Sequence, residues 1–159
     1  MVCLSLTVHA APQVEIVSHS SYIGQYGYYY VVGEVRNSGD QWAIDVEISA
    51  TFYNSANEVL GSGSGDASLS YLLPGRISPF RFPFLEFALT EQVHHYSLSV
   101  TFSSTDASFP EKLQIATHSS SIVGDQILIE GEVENLADST ASLVKVLATC
   151  YDASGTVIA

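Results

Sequence analysis

Five histidines stand among seventeen acidic residues in this chain, the raw material of a metal centre if three or four of them converge. His94 and His95 are adjacent, and neighbours on a strand point to opposite faces, so one ion cannot easily take both. His19 and His118 fall at equivalent places in two related segments, which argues for a local structural task in a polar turn. Gly61-Ser62-Gly63-Ser64-Gly65 spells the G-x-S-x-G of a hydrolase nucleophile. That chemistry needs a sharp turn leading into a helix, and no helical period follows, so the stretch reads as a flexible loop. Asp106, Glu111 and Asp125 lack the dense alternation of a calcium loop and read as a solvated acidic face. No phosphate-binding loop, dinucleotide fingerprint or paired-cysteine zinc pattern occurs. The expectation is therefore no catalytic, cofactor-binding or metal-ligating residue, and no enzyme.

Aromatic side chains are the remaining candidates. Tyr26, Tyr28, Tyr29 and Tyr30 cluster ahead of Trp42, and on a strand alternate rings face outward. Outward rings can stack on sugars or anchor a protein partner. Tyr28, Tyr30 and Trp42 are the candidate surface-binding residues, with cross-strand packing as the competing explanation.

Charge limits the partners. Five basic residues against seventeen acidic ones leave a net charge of -12, which repels phosphate backbones and excludes nucleic acid as a natural partner. No apolar run approaches the roughly 18 residues of a membrane span. Charged residues make up 14% and hydrophobic ones 47%, a composition that buries a core rather than staying disordered. Cys3 and Cys150 offer little prospect of a disulfide, one lying near the start and the other on an expected strand. Residues 1–12 read as a signal-peptide remnant or N-terminal extension, with Val8-His9-Ala10 resembling a cleavage site. Export to the cell surface or exterior is the expectation.

Internal self-similarity organises the rest. Residues 33–60 (GEVRNSGDQWAIDVEISATFYNSANEVL) align without a gap on residues 131–158 (GEVENLADSTASLVKVLATCYDASGTVI), and eleven of the 28 positions are identical. They include Gly33, Glu34, Asn37, Tyr53 and Val59, which recur as Gly131, Glu132, Asn135, Tyr151 and Val157. A one-residue slip extends the match upstream, where Ser18-His19-Ser20-Ser21 faces Thr117-His118-Ser119-Ser120. The chain reads as a tandem repeat whose second copy contains only the first half of the first.

The first copy has the period of two expected of half-buried strands. Tyr29, Val31 and Val35 alternate with Tyr28, Tyr30, Glu34 and Arg36; Asn37-Ser38-Gly39-Asp40 supplies a turn. Ile44, Val46, Ile48, Ala50 and Phe52 mark the clearest amphipathic strand. Short strands are expected near residues 58–61 and 67–73, and a further one carries Phe80, Phe82 and Phe84. Pro79 and Pro83 place that last strand at an edge or bulge. Tyr96, Leu98, Val100 and Phe102 complete seven strands in about 90 residues, which suits an all-β, immunoglobulin-like antiparallel sandwich.

The GEVRN segment, Ala50-Thr51-Phe52-Tyr53-Asn54 before a turn, and Leu73-Pro74-Gly75 leading into Ser78-Pro79-Phe80 together resemble the FxLYD-type domains of bacterial and archaeal secreted or surface proteins. The motif recurs as Ala148-Thr149-Cys150-Tyr151-Asp152. Both copies depart from it: Ala replaces the first Phe in each, Asn54 replaces Asp in one, and Cys150 replaces Leu in the other. The resemblance implies a surface β-sandwich repeat without established catalysis, and carries no functional residues with it.

The organisation expected is a first sandwich over residues 13–103, a linker over 104–111 and an incomplete second repeat over 112–159. Its apolar face, including Ile127, Ile129, Val133, Val144, Val146, Ala148 and Cys150, would lack an opposing sheet, so a partner chain or missing sequence would have to complete it. The expected function is a non-enzymatic extracellular spacer or protein-recognition module with an unknown protein or polysaccharide partner, and self-association through the incomplete repeat. The alternatives are a carbohydrate-binding accessory module using Tyr28, Tyr30 and Trp42, and an appendage of a larger secreted enzyme.

Overall fold

The computed structural model describes residues 13–106, 112–124 and 126–158. The chain is all-β with antiparallel sheets. Nine strands are described: β1 (Val14–Ile23), β2 (Tyr29–Asn37), β3 (Trp42–Tyr53), β4 (Val59–Asp66), β5 (Tyr71–Leu72), β6 (Ile77–Phe84), β7 (His95–Thr105), β8 (Leu113–Val123) and β9 (Gln126–Asn135). A short 3₁₀ helix, Phe87–Gln92, is the one helical segment among the described residues. The contacts define two compact units, one within Met1–Ala107 together with Leu147–Ala159 and the other within Ser108–Val146.

In the first unit β1, β2 and β6 form one sheet in that order; β3 pairs with β4, β5 and β7 in a second. One hydrophobic core draws on both sheets, with Val31, Val35, Phe80, Phe82 and Phe84 from the first and Ile48, Ala50, Phe52 and Leu72 from the second. Phe52 sits at its centre, 4.4 Å from the Phe84 ring and 5.8 Å from Tyr29 between centroids. Apolar side chains repeat at every second position on β6 and on β3 from Val46 to Phe52, so burying one face removes each set from water; at the irregularity around Asp45 the parity slips, and Ala43 rather than the expected Ile44 joins the core. β6, with its two prolines, lies at the edge of its sheet, where a missing N–H costs no ladder bond.

Gly61 to Gly65 departs from expectation. The stretch is part of β4, with Ser62, Gly63, Ser64 and Gly65 paired to Thr51, Ala50, Ser49 and Ile48. The glycines recur with a period of two, and they face the phenylalanines: a Cβ on Gly65 would come within 2.8 Å of Phe82 Cβ, and one on Gly61 within 3.0 Å of Phe84 Cε2. Glycine here permits close approach of backbone to rings rather than flexibility. The strand expected over residues 67–73 shrinks to β5 and an isolated bridge between Ala67 and Phe80.

The second unit holds β8 and β9. Their ladder reproduces that of β1 and β2 pair for pair: Ser18 faces Glu34 and Ser20 faces Val32 in one, Thr117 faces Glu132 and Ser119 faces Glu130 in the other. The register shift falls between Ile16 and Ser18 in the first and between Ile115 and Thr117 in the second. The following turns match too. Asn37 Oδ1 accepts from the Gly39 N–H and its Nδ2 donates to Gln41 O, as Asn135 does with Ala137 and Ser139. Positive φ occurs at Asp45 (51°) and again at Leu143 (55°). Yet every described residue of β8 and β9 is exposed, including Ile127, Ile129 and Val133.

Residues 140–150, which match β3 in sequence, form no strand, so Cys150 is not on one as expected. β3 is held on its two edges by β4 and β7, and no such pair of ladders flanks this segment among the described residues.

Candidate interaction face

The outer face of the β1–β2–β6 sheet is unusual for a surface. Residues 31–35 of β2 are all buried, Val32 and Glu34 included, and consecutive strand residues point to opposite sides. The sheet must therefore be covered twice. The core covers Val31 and Val35; a hairpin from the C-terminal end, bridged between Tyr151 and Val157, covers the other side.

This hairpin belongs to the same compact unit. Its turn is an Asx turn in which Asp152 Oδ1 accepts from the N–H groups of Ser154 and Thr156 and from Ser154 Oγ. Those bonds hold the Asp152 carboxyl below the usual carboxylate range, the Ser154 hydroxyl contributing most. Val157 is 1% exposed. Its N–H donates to Ser18 Oγ at 3.2 Å, and its carbonyl accepts from Ser20 Oγ. Tyr151 donates its hydroxyl to Glu34 Oε1 at 2.5 Å. The bond to Glu34 and then burial raise the Tyr151 phenol above its ordinary value, because an adjacent carboxylate disfavours the phenolate. A buried carboxylate thus has a donor, and two β1 serines meet the backbone of the visiting strand.

Further along the same face lie two of the expected surface tyrosines. Tyr30 stacks on Tyr22 of the neighbouring strand, with centroids 5.4 Å apart and planes at 21°. The Arg81 guanidinium lies 4.3 Å from the Tyr30 centroid and 5.8 Å from that of Tyr22. Tyr28 precedes β2 and meets Phe87 edge-on at 5.6 Å. Trp42 starts β3 and meets Tyr71 edge-on at 6.3 Å. Seven residues of β2 separate Tyr30 from the turn that leads to Trp42, roughly 23 Å at the rise of a strand. The structure therefore brings Tyr28 and Tyr30 to one end of β2 and leaves Trp42 at the other. Each of the three rings packs against a neighbour.

His19 lies in β1 and His118 in β8, both within strands rather than the expected polar turn. His19 Nδ1 is 2.9 Å from the Tyr96 hydroxyl, linking β1 to β7. Burial is the main cause that raises the Tyr96 phenol above its ordinary value. His95 stacks on Tyr53 at 4.8 Å, and His94 meets His95 edge-on. No cluster of three or more His, Cys, Asp or Glu able to hold a metal occurs among the described residues. Of the acidic trio considered for calcium, Glu111 and Asp125 lie outside the described residues, as do Cys3 and the Val8-His9-Ala10 segment. No helix among the described residues is long and apolar enough to cross a membrane.

Sequence reasoning missed Glu34, Ser18, Ser20, Tyr151 and Val157 as a set. The available signal was Val32, which follows Val31 and puts an apolar residue on the face assigned to water. No family model matches this chain, and neither a curated protein nor a solved structure matches it.

Proposed function

We propose that this chain is a non-enzymatic interaction module of an exported or cell-surface protein, built from immunoglobulin-like repeats of FxLYD type. It works by accepting a β-hairpin on the outer face of the β1–β2–β6 sheet. The observation that carries the reading is the seating of the 151–157 hairpin there, with Val157 buried and Tyr151 bonded to Glu34. Hydroxyls of Ser18 and Ser20 serve the backbone of the bound segment, so affinity comes largely from main chain, while the Tyr–Glu pair and the buried Val32 on the same face select the sequence.

The tandem-repeat reading draws support from the shared ladder register, the matched Asn37 and Asn135 turns and the positive φ at Asp45 and Leu143. In such an array the hairpin of one copy lies on the sheet of the copy before it, which makes the module a spacer whose joints are specific contacts. The sugar-binding alternative draws less support, because Tyr30 stacks on Tyr22 with Arg81 over its face, and Tyr28 and Trp42 already pack edge-on with Phe87 and Tyr71.

Amide hydrogen exchange on the whole chain tests the reading at Val157. Its N–H should be protected in the native chain, and Tyr151→Phe, which strands a buried carboxylate without its donor, should speed exchange there by about tenfold or more. An unprotected Val157 in the native chain would remove the basis for the proposal.

A further inference from the structure

The contact just described has a donor and an acceptor, and the chain carries a second copy of each. The second donor is the hairpin between β3 and β4, where Tyr53 pairs with Val59 as Tyr151 does with Val157. The turns agree in their backbone donors: Asn54 Oδ1 accepts from the N–H groups of Ala56 and Glu58, as Asp152 Oδ1 does from Ser154 and Thr156. The fates differ. Val157 is 1% exposed and Val59 is 64% exposed.

The second acceptor is the corresponding face of β8 and β9. By register, Thr117, Ser119 and Glu132 stand where Ser18, Ser20 and Glu34 stand on the first sheet. Thr117 retains the hydroxyl, Ser119 is identical in type to Ser20, and Glu132 is identical in type to Glu34. These residues, with His118, Glu130 and Gly131, line an open depression of about 270 Å³. One position departs: Glu130 occupies the place of the buried Val32.

We infer that the 53–59 hairpin of a second copy of this chain docks on the β8–β9 face. The Tyr53 hydroxyl donates to Glu132, and the Val59 backbone meets Thr117 and Ser119. The occupant is a second copy because the donor and acceptor already recognise each other's counterparts in this chain, through the same residue types in the same pairing. In the first contact a hairpin from the second copy of the repeat lies on the sheet of the first. Between chains the same step places a first-copy hairpin on a second-copy sheet, so the contact is heterologous and propagates head to tail. Glu130 weakens it, because a carboxylate replaces an apolar contact under the incoming Val59. Assembly is accordingly concentration-dependent rather than permanent.

The inference rests on the proposed function, and its test separates the two. Sedimentation velocity over a concentration series, at salt sufficient to screen the chain's negative charge, reads the association. Tyr53→Phe and Glu132→Gln should each raise the association midpoint about tenfold. Glu130→Val, which restores the Val32 chemistry, should lower it by a similar factor. All three positions are outside the core, and Tyr53→Phe keeps its ring. A native chain and a Glu130→Val variant that both stay monomeric would overturn the inference, as would association indifferent to Tyr53→Phe and Glu132→Gln. If Val157 is protected in those monomers, only the head-to-tail step is lost. If Val157 exchanges freely, the proposed function is lost with it.

Discussion

The β1–β2 and β8–β9 hairpins have the same pairing, the same register shift and the same glycine opposite a bulge, with a Cβ on Gly33 or Gly131 falling 2.5 Å from the carbonyl of Ser18 or Thr117. Yet residues 31–35 of the first are buried and every described residue of the second is exposed. Backbone hydrogen bonds are therefore common to both, and what separates them is cover. β2 has β6 on its free edge, the phenylalanines of β6 and β3 on one face and the C-terminal hairpin on the other. A two-stranded ribbon without such cover is marginal in water, because its ladder only replaces bonds to solvent while the burial that offsets chain entropy is absent.

The comparison breaks most sharply in the core. Phe82 is 2% exposed, and Phe82→Ala should destabilise the first unit by about 3–5 kcal/mol. Ile129 occupies the place of Val31 but is 47% exposed, so Ile129→Ala should stay within about 0.5 kcal/mol. Urea unfolding followed by the tyrosine and tryptophan signals of the first unit measures both. Equal losses would mean that β8–β9 is covered in solution by something it lacks here, and the self-association described above would be the first place to look.

A smaller contrast concerns the matched asparagines. Asn37 is fully buried; its Nδ2 donates to Gln41 O at 2.7 Å and to Leu72 O at 2.8 Å, and its Oδ1 accepts from Gly39 N–H. Asn135 makes the two local bonds, to Ser139 and from Ala137, on an exposed turn. Asn37→Ala leaves a buried Leu72 carbonyl without that donor and should cost about 2–3 kcal/mol. Asn135→Ala should cost under about 1 kcal/mol. Thermal unfolding of both variants checks the ratio; a similar cost at the two sites would place the value of the motif in the turn itself rather than in the Leu72 bond.

How far the sequence foretold this depends on where the deciding contact lies. β3 was legible because Val46, Ile48, Ala50 and Phe52 alternate with polar residues, although the shift at Asp45 puts Ala43 in the core where Ile44 was expected, and the edge position of β6 because Pro79 and Pro83 cannot donate. The β4 strand was hidden because glycine and serine carry no hydrophobic contrast, although their alternation has the strand period. The partners of the surface tyrosines depend on register: Tyr30 faces Tyr22 because the turn closed by Gly24 and Tyr28 sets that pairing, and the bulge in β1 shifts only the pairs beyond Ser18. Nothing local distinguishes Val59 from Val157. They occupy equivalent turns, and one is exposed while the other is buried against a strand more than a hundred residues earlier. The segment over residues 140–150 shows the reverse, since it has the pattern of β3 but, among the described residues, none of the ladders that flank β3.

The smallest effect expected is a pH dependence of hairpin docking. The Tyr151 phenol is raised by its bond to Glu34, so the docked state favours the neutral phenol. Its contribution is complete below the ordinary tyrosine value of about 10 and is lost as pH rises through the raised one. Asp152 has the opposite sign: its lowered carboxyl stabilises the turn above the ordinary aspartate value and ceases to do so as pH falls through the lowered one. Docking should thus be constant across the neutral range and loosen at both extremes. The methyl resonances of Val157 report it, moving toward exposed values in alkali. In Tyr151→Phe the alkaline step should vanish while the acid one remains, because each belongs to a different side chain of the same hairpin. Methyl shifts that stay put in alkali would show that the Ser18 and Ser20 bonds hold the hairpin without the Tyr–Glu pair, and would remove Glu34 from the proposed selectivity of the face.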